Sequence, residues 1–153
     1  MKNFVIVSLI FLAGCCSTSK LDGSKFFEVK VNQLEMWFDA MPKIESKSKF
    51  HLILNYSLKN VSKRNLKIDS LSYEIVLSNG KHLIFYDERF QPIELSSDKT
   101  FQFHRLNLSS NIDGLIPKND RKADFYLNVY FMVGDKNYFE KVLIGSQEFE
   151  IVY

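Results

Sequence analysis

The chain has 153 residues, with 20 Lys and Arg against 18 Asp and Glu and a formal net charge of +2. That balance builds in no electrostatic bias toward nucleic acid or an acidic surface, and the length is enough for one domain with a real core. Both cysteines, Cys15 and Cys16, fall near the amino terminus, so the folded region must hold without disulfides, and its 14 Phe, 7 Tyr and 1 Trp supply the packing.

The first stretch, Met1 to Cys15, has a short positive start at Lys2, an apolar run from Phe4 to Leu12 broken only by Ser8, and a small-residue close at Leu12-Ala13-Gly14-Cys15. Such a pattern is a secretory leader. It is too short to span a bilayer, which takes roughly 20 apolar residues. Leu12 to Cys15 resembles the lipobox of bacterial lipoproteins. The resemblance implies that the Cys15 thiol receives a diacylglyceryl group, that residues 1–14 are removed as a signal peptide, and that the new amino terminus is acylated. At ~0.8 kcal/mol per buried CH₂, two or more acyl chains anchor stably. The implied location is the cell envelope. Cys16 and not Asp follows Cys15, which by resemblance to enterobacterial lipoproteins favours the outer membrane facing the periplasm where the source has two membranes. Otherwise the outer face of the cytoplasmic membrane is expected.

Residues 15–24 are small, polar and aperiodic, a lipidated tether that reaches roughly 30 Å when extended. From residue 25 to 153 a single β-sandwich domain is expected. Phe27, Val29 and Val31 alternate with polar residues, and the pattern resumes from Leu34 to Phe38. Phe50, Leu52, Leu54, Tyr56 and Leu58 make one apolar face, ended by a turn over Asn60 to Asn65. Leu66 and Ile68, then Leu71, Tyr73, Ile75 and Leu77, lead to Asn79-Gly80, where a type I′ hairpin is expected before a strand from Lys81 to Tyr86. Asp87 to Lys99 is a polar crossing loop, Thr100 to Leu108 a strand of ambiguous facing, and Ser109 to Lys122 a second crossing. Phe125, Leu127, Val129, Phe131 and Val133 give the cleanest alternation. Gly134 to Asn137 turns the chain into Tyr138 to Ile144, Gly145-Ser146 marks a bulge, and Phe149, Ile151 and Tyr153 close it.

About seven to nine short strands without helical periodicity argue for two packed antiparallel sheets, with a small β-barrel as the alternative. The run from Phe50 through Asn60-Val61-Ser62 to Asn79-Gly80-Lys81 is similar to the immunoglobulin-like modules of bacterial envelope proteins. That similarity implies an immunoglobulin-like sandwich, without the Cys…Trp…Cys pattern of antibody domains.

Chemistry-bearing groups are sparse. His51, His82 and His104 show no metal spacing, and Met36, Met41 and Met132 are core fillers. Asp87, Glu88, Glu94 and Asp98 are solvated loop carboxylates lacking the burial that separates acid from base. No catalytic residue, metal site or cofactor is expected, and no nucleic-acid partner. Trp37, Phe38, Met41 and Pro42 form the candidate partner contact, aromatic and Met residues at a strand end beside a Pro loop, with Asp87 to Pro92 as a polar neighbour. The function read from these residues is a membrane-anchored, non-catalytic binding or assembly module whose partners are the membrane and another envelope protein. A metal-handling or small-ligand-binding lipoprotein and a structural envelope lipoprotein are the alternatives.

Overall fold

Period-two alternation places successive side chains on opposite faces of a strand, and in the computed structural model it resolves into nine strands over the described residues, 25–40, 48–111 and 121–152. The leader, Cys15, the tether, Met41 and Pro42 lie outside them. One sheet holds β1 (Phe27–Asp39), β2 (Lys49–Asn60), β6 (Thr100–Asn111) and β9 (Glu150–Val152), in the order β6-β2-β1-β9. The other holds β3 (Leu66–Leu77), β4 (His82–Tyr86), β7 (Lys122–Val133) and β8 (Lys136–Glu148), in the order β4-β3-β7-β8, with β5 (Ile93–Leu95) also paired to β3. Pairing is antiparallel except between β1 and β9. The sheets pack face to face as a sandwich and do not close into a barrel. β1, β2 and β6 stand where strands A, B and E of an immunoglobulin domain stand, and β4, β3, β7 and β8 follow the order C′-C-F-G.

Two local expectations need correction. The hairpin after β3 turns at Asn79-Gly80, but only Gly80 has positive φ (+79°), and the Leu77 N–H reaches the Lys81 carbonyl at 2.9 Å. This is the three-residue loop with glycine in the left-handed position, and not the two-residue type I′ turn. The Asp87–Lys99 connection does cross between sheets, yet it carries β5, because Ile93 and Leu95 continue the ladder against Ile68 and Leu66.

Bulges explain why some strands read discontinuously. The β1–β2 register shifts between Val31 and Gln33, so Phe27, Val29 and Val31 point inward before the shift and Leu34, Met36 and Phe38 after it. In β3 a shift between Ile68 and Ser70 moves the inward set from Leu66 and Ile68 to Leu71, Tyr73, Ile75 and Leu77. The ambiguous facing of β6 has the same cause: Tyr56 pairs with Phe103 but Leu54 with Leu106, so the inward positions change from odd to even. Each added residue reverses the face presented beyond it.

The core is aromatic, and at its middle two tyrosine hydroxyls join the sheets. Tyr56 of β2 stacks on Phe103 with centroids 4.5 Å apart, Tyr73 of β3 lies parallel to Phe125, and the two tyrosine hydroxyls meet at 3.0 Å, fully buried. Burial pushes both phenols up, so each stays protonated and one donates to the other. Tyr56→Phe is expected to lose about 1–3 kcal/mol by orphaning the Tyr73 hydroxyl, while the Tyr56→Phe, Tyr73→Phe double variant loses much less than the sum of the single changes. Urea unfolding of all four proteins measures that coupling; additive losses would contradict it.

The long strands run between two poles. Residues 25 and 26, the β2–β3 turn, the Ser96–Lys99 turn and the Gly134-Asp135 hairpin gather at one pole, where Phe26 O accepts the Val61 N–H and Phe26 N–H donates to Glu140. Asn60 organises it. Its side-chain Nδ2 donates to the carbonyls of Arg64 (2.8 Å) and Leu95 (2.9 Å), and its Oδ1 accepts from the N–H and hydroxyl of Ser62. Its backbone exchanges bonds with Asp98 and Lys99, and Asp98 takes a positive φ of 58° to do so. The Asn79-Gly80 hairpin, the ends of β1 and β6 and the β9 strand lie at the opposite pole.

Candidate functional site

The parity of β1 splits the Trp37-Phe38 pair. Phe38 faces inward and is core, so its ring is not part of a contact surface. Trp37 faces outward, half-buried, and stacks on His51 of β2 with centroids 4.9 Å apart and planes 10° from parallel. It lines an open depression of about 490 Å³ with Glu35, Gln147, Glu148, Glu150 and Val152. Asp87 and Glu88 line a different depression with His104, Leu106 and Ser109, beyond β2 from Trp37. The structure therefore does not join Asp87 to Pro92 with Trp37 in one surface.

Nor do the other polar candidates converge. His51 is under Trp37, His82 is on β4 and His104 on β6. Glu94 sits opposite Lys67, and Asp98 is in the turn at the Asn60 pole. Met36 is core, and Met132 lines a depression with Leu66, Glu94 and Ser96 that contains no histidine. Among the described residues no group of three or more His, Cys, Asp and Glu is close enough to hold a metal ion.

What the sequence reading missed is the outer face of β4-β3-β7-β8. Cross-strand pairing sets its rows: Ile84, Glu74, Tyr126 and Leu143; Tyr86, Ser72, Asn128 and Lys141; Ser70, Tyr130 and Phe139. Paired residues share a face, so side chains far apart in the chain become neighbours. Ile84, Tyr86, Tyr130, Phe139 and Leu143 remain 42% to 66% exposed, and the Tyr130 and Phe139 rings touch at 5.0 Å. The opposite outer face, on β6-β2-β1, is mainly polar, with Glu28, Lys30, Gln33, Glu35, Asn55, Lys59, Gln102 and Asn107 on it. The sandwich thus has one wet face and one aromatic face.

At the centre of the aromatic face sits an ion cluster built on the largely buried Glu74 carboxylate, with its two cationic partners reaching solvent. Glu74 accepts from Lys141 Nζ at 2.8 Å and from His82 Nδ1 at 2.6 Å, and Asn128 Nδ2 bridges it to the Ser72 hydroxyl. Lys141 also lies 4.3 Å from the centre of the Tyr126 ring, a cation–π distance. The Lys141 ammonium holds the Glu74 carboxyl below the usual carboxylate range against the opposing effect of burial, with His82 and Asn128 assisting. Asn128 Oδ1 is buried and has no hydrogen-bond partner among the described residues. An orphaned acceptor of that kind costs about 1–3 kcal/mol.

A depressed folded-state pKa stabilises above the unfolded carboxylate value near 4.3, and the contribution is lost as pH falls through the folded value. Glu74→Gln is therefore expected to be less stable than wild type at pH 7, by about 1 kcal/mol, and to lose less between pH 5 and pH 3. Glu140 has the opposite sign: burial pushes its half-buried carboxyl up, so its contribution is present at low pH and fades as pH rises through the folded value. The difference between variant and wild-type urea midpoints across that range isolates Glu74. Parallel acid limbs would show that the cluster does not contribute.

No family model matches the chain, and no curated protein matches it. Solved structures that resemble it include an X-ray structure of a Northeast Structural Genomics Consortium target (11% identity over 82% of this chain and 86% of that one, TM-score 0.49). A Bordetella pertussis structure provisionally designated ApaA aligns at 9% identity over 83% and 96%, TM-score 0.44. A protein from Archaeoglobus fulgidus aligns at 9% over 78% and 96%, TM-score 0.45.

Proposed function

We propose that the chain is a non-catalytic protein-binding or assembly module of the cell envelope, held at the membrane by lipid on Cys15. The observation that carries the binding role is the aromatic outer face of β4-β3-β7-β8, where five large side chains stay exposed around the Glu74–His82–Lys141 ion cluster. Exposed Tyr, Phe and Leu grouped on one rigid sheet match the composition of protein interfaces, and scattered apolar surface residues do not gather this way. Tethering supports the same reading: confinement near the bilayer raises the effective concentration for a membrane-neighbouring partner, so modest affinity suffices.

The anchor and the face are tested separately. Metabolic labelling with a fatty acid is expected to mark the wild-type protein, and Cys15→Ala is expected to be unlabelled and soluble; an unlabelled wild type would remove the anchor. Copurification from cells is expected to lose its main partner in a Tyr130→Glu, Phe139→Glu variant, whose substitutions are on exposed positions. Retention of that partner, with loss instead in Trp37→Ala, would move the contact to the Trp37–His51 stack. Retention in both would leave the aromatic face without a role in partner capture.

A further inference from the structure

The pole at which the chain joins the sandwich is basic at its tip. Lys25 precedes β1, Lys63 and Arg64 project from the β2–β3 turn, Lys99 from the turn before β6, and Lys136 from the β7–β8 hairpin; all five are exposed. Among the described residues, Asp98 and Asp135 oppose them at the same level. Further back, Lys59 and Lys67 are outnumbered by Glu28, which pairs with Lys59, Asp69 and Glu94, and half-buried Glu140 lies beside Lys25, so the basic excess is confined to the tip. The mature chain as a whole is nearly neutral, with 19 basic against 18 acidic residues, so the excess at this pole is local.

Position gives the excess a direction. Residue 25 is ten residues from Cys15, and ten residues span at most about 35 Å. As a flexible coil the same ten residues average only about 18 Å, so a lipid on Cys15 favours this pole, of the two, as the one nearest the bilayer. β1 has 13 residues, so at ~3.3 Å per residue the opposite pole stands about 40 Å farther along. We infer that the Lys25–Lys63–Arg64–Lys99–Lys136 pole is a docking surface for anionic lipid headgroups, which sets the sandwich upright with Trp37 and β9 pointing away from the membrane. The orientation rests on the Cys15 anchor; the headgroup affinity does not.

The experiment uses the full mature chain with Cys15→Ser, so that no acyl chain contributes. Sedimentation is measured at millimolar lipid with vesicles of phosphatidylglycerol and phosphatidylcholine, and with phosphatidylcholine alone. Each near-surface Lys or Arg is worth about a fivefold factor in partitioning onto an anionic surface, an effect confined to roughly a Debye length. A Lys63→Gln, Arg64→Gln, Lys99→Gln variant is therefore expected to bind anionic vesicles about a hundredfold more weakly than its parent, while Lys49→Gln, Lys81→Gln, Lys122→Gln, altered at the opposite pole, binds nearly as well. High salt should abolish the difference. Equal binding to both vesicle types, no binding to either, or equal loss in both triple variants would overturn the docking surface. Fatty-acid labelling of the wild type reports on the anchor alone. Unlabelled protein with intact vesicle selectivity removes only the anchor; labelled protein without selectivity removes only the docking.

Discussion

Asn60→Ala is expected to lower the unfolding free energy by about 3–4 kcal/mol, because roughly four hydrogen bonds worth about 1 kcal/mol each disappear and the Leu95 carbonyl is left buried. Asn60 is fully buried and bonds to Arg64, Leu95 and Ser62. For a domain of this size the loss corresponds to a fall in Tm of about 10–15 °C. Asn60→Asp should do no better, since it keeps the acceptor but loses both donors and buries a charge. Thermal unfolding followed by circular dichroism measures both; a change below about 1 kcal/mol would mean that water replaces the side chain and that the pole is held by its backbone bonds.

Val129→Asp is expected to be more severe. Val129 has no exposed surface and sits on β7, between β3 and β8, so an added carboxylate has no route to solvent and no cation within the apolar core. It must either ionise without a partner or protonate at a cost, and about 4–6 kcal/mol is a fair estimate for that burial together with the lost packing. That approaches the whole stability of an ordinary domain, so the variant should appear as unfolded or insoluble protein. Tyr130→Asp, one residue along and pointing outward, is the matched control and should fold. A stable Val129→Asp with an unfolded Tyr130→Asp would reverse the two faces of β7.

The contrast between those neighbours marks what the sequence discloses. The inward sets Phe50 to Leu58 and Phe125 to Phe131 are legible because each lies within one uninterrupted strand, and alternation alone decides their facing. The breaks after Val31 and Ile68 were visible as changes of parity, and the structure identifies them as bulges within single strands. The Glu74 cluster was not legible. Its members come from β3, β4, β7 and β8, and only the cross-strand register, set by turns and bulges, brings His82 and Lys141 onto the same carboxylate. One signal was available: Ile84, Tyr86, Tyr126 and Tyr130 occupy positions that alternation assigns to solvent, and large rings there ask for an explanation. The sequence points instead to Trp37, whose neighbour Phe38 is core. The Asn-x-Ser at the end of β2 is in sequence only a pattern; its reason, an Asn60 side chain that ties the β2–β3 turn to the end of β5, needs the Leu95 carbonyl to be in place.

The arrangement of the poles also decides how the domain bears force. A pull between the amino-terminal tether and anything gripping the far pole runs along β1, which is paired with β2 from Phe27 to Asp39. Such a load shears the ladder lengthwise, so its bonds resist together, whereas a pull across the strand would open them one after another like a zipper. The three residues of β9, paired in parallel with Trp37 to Asp39, add a latch at the loaded end. Built this way, the β1–β2 ladder resists a pull along the strands better than a pull across them.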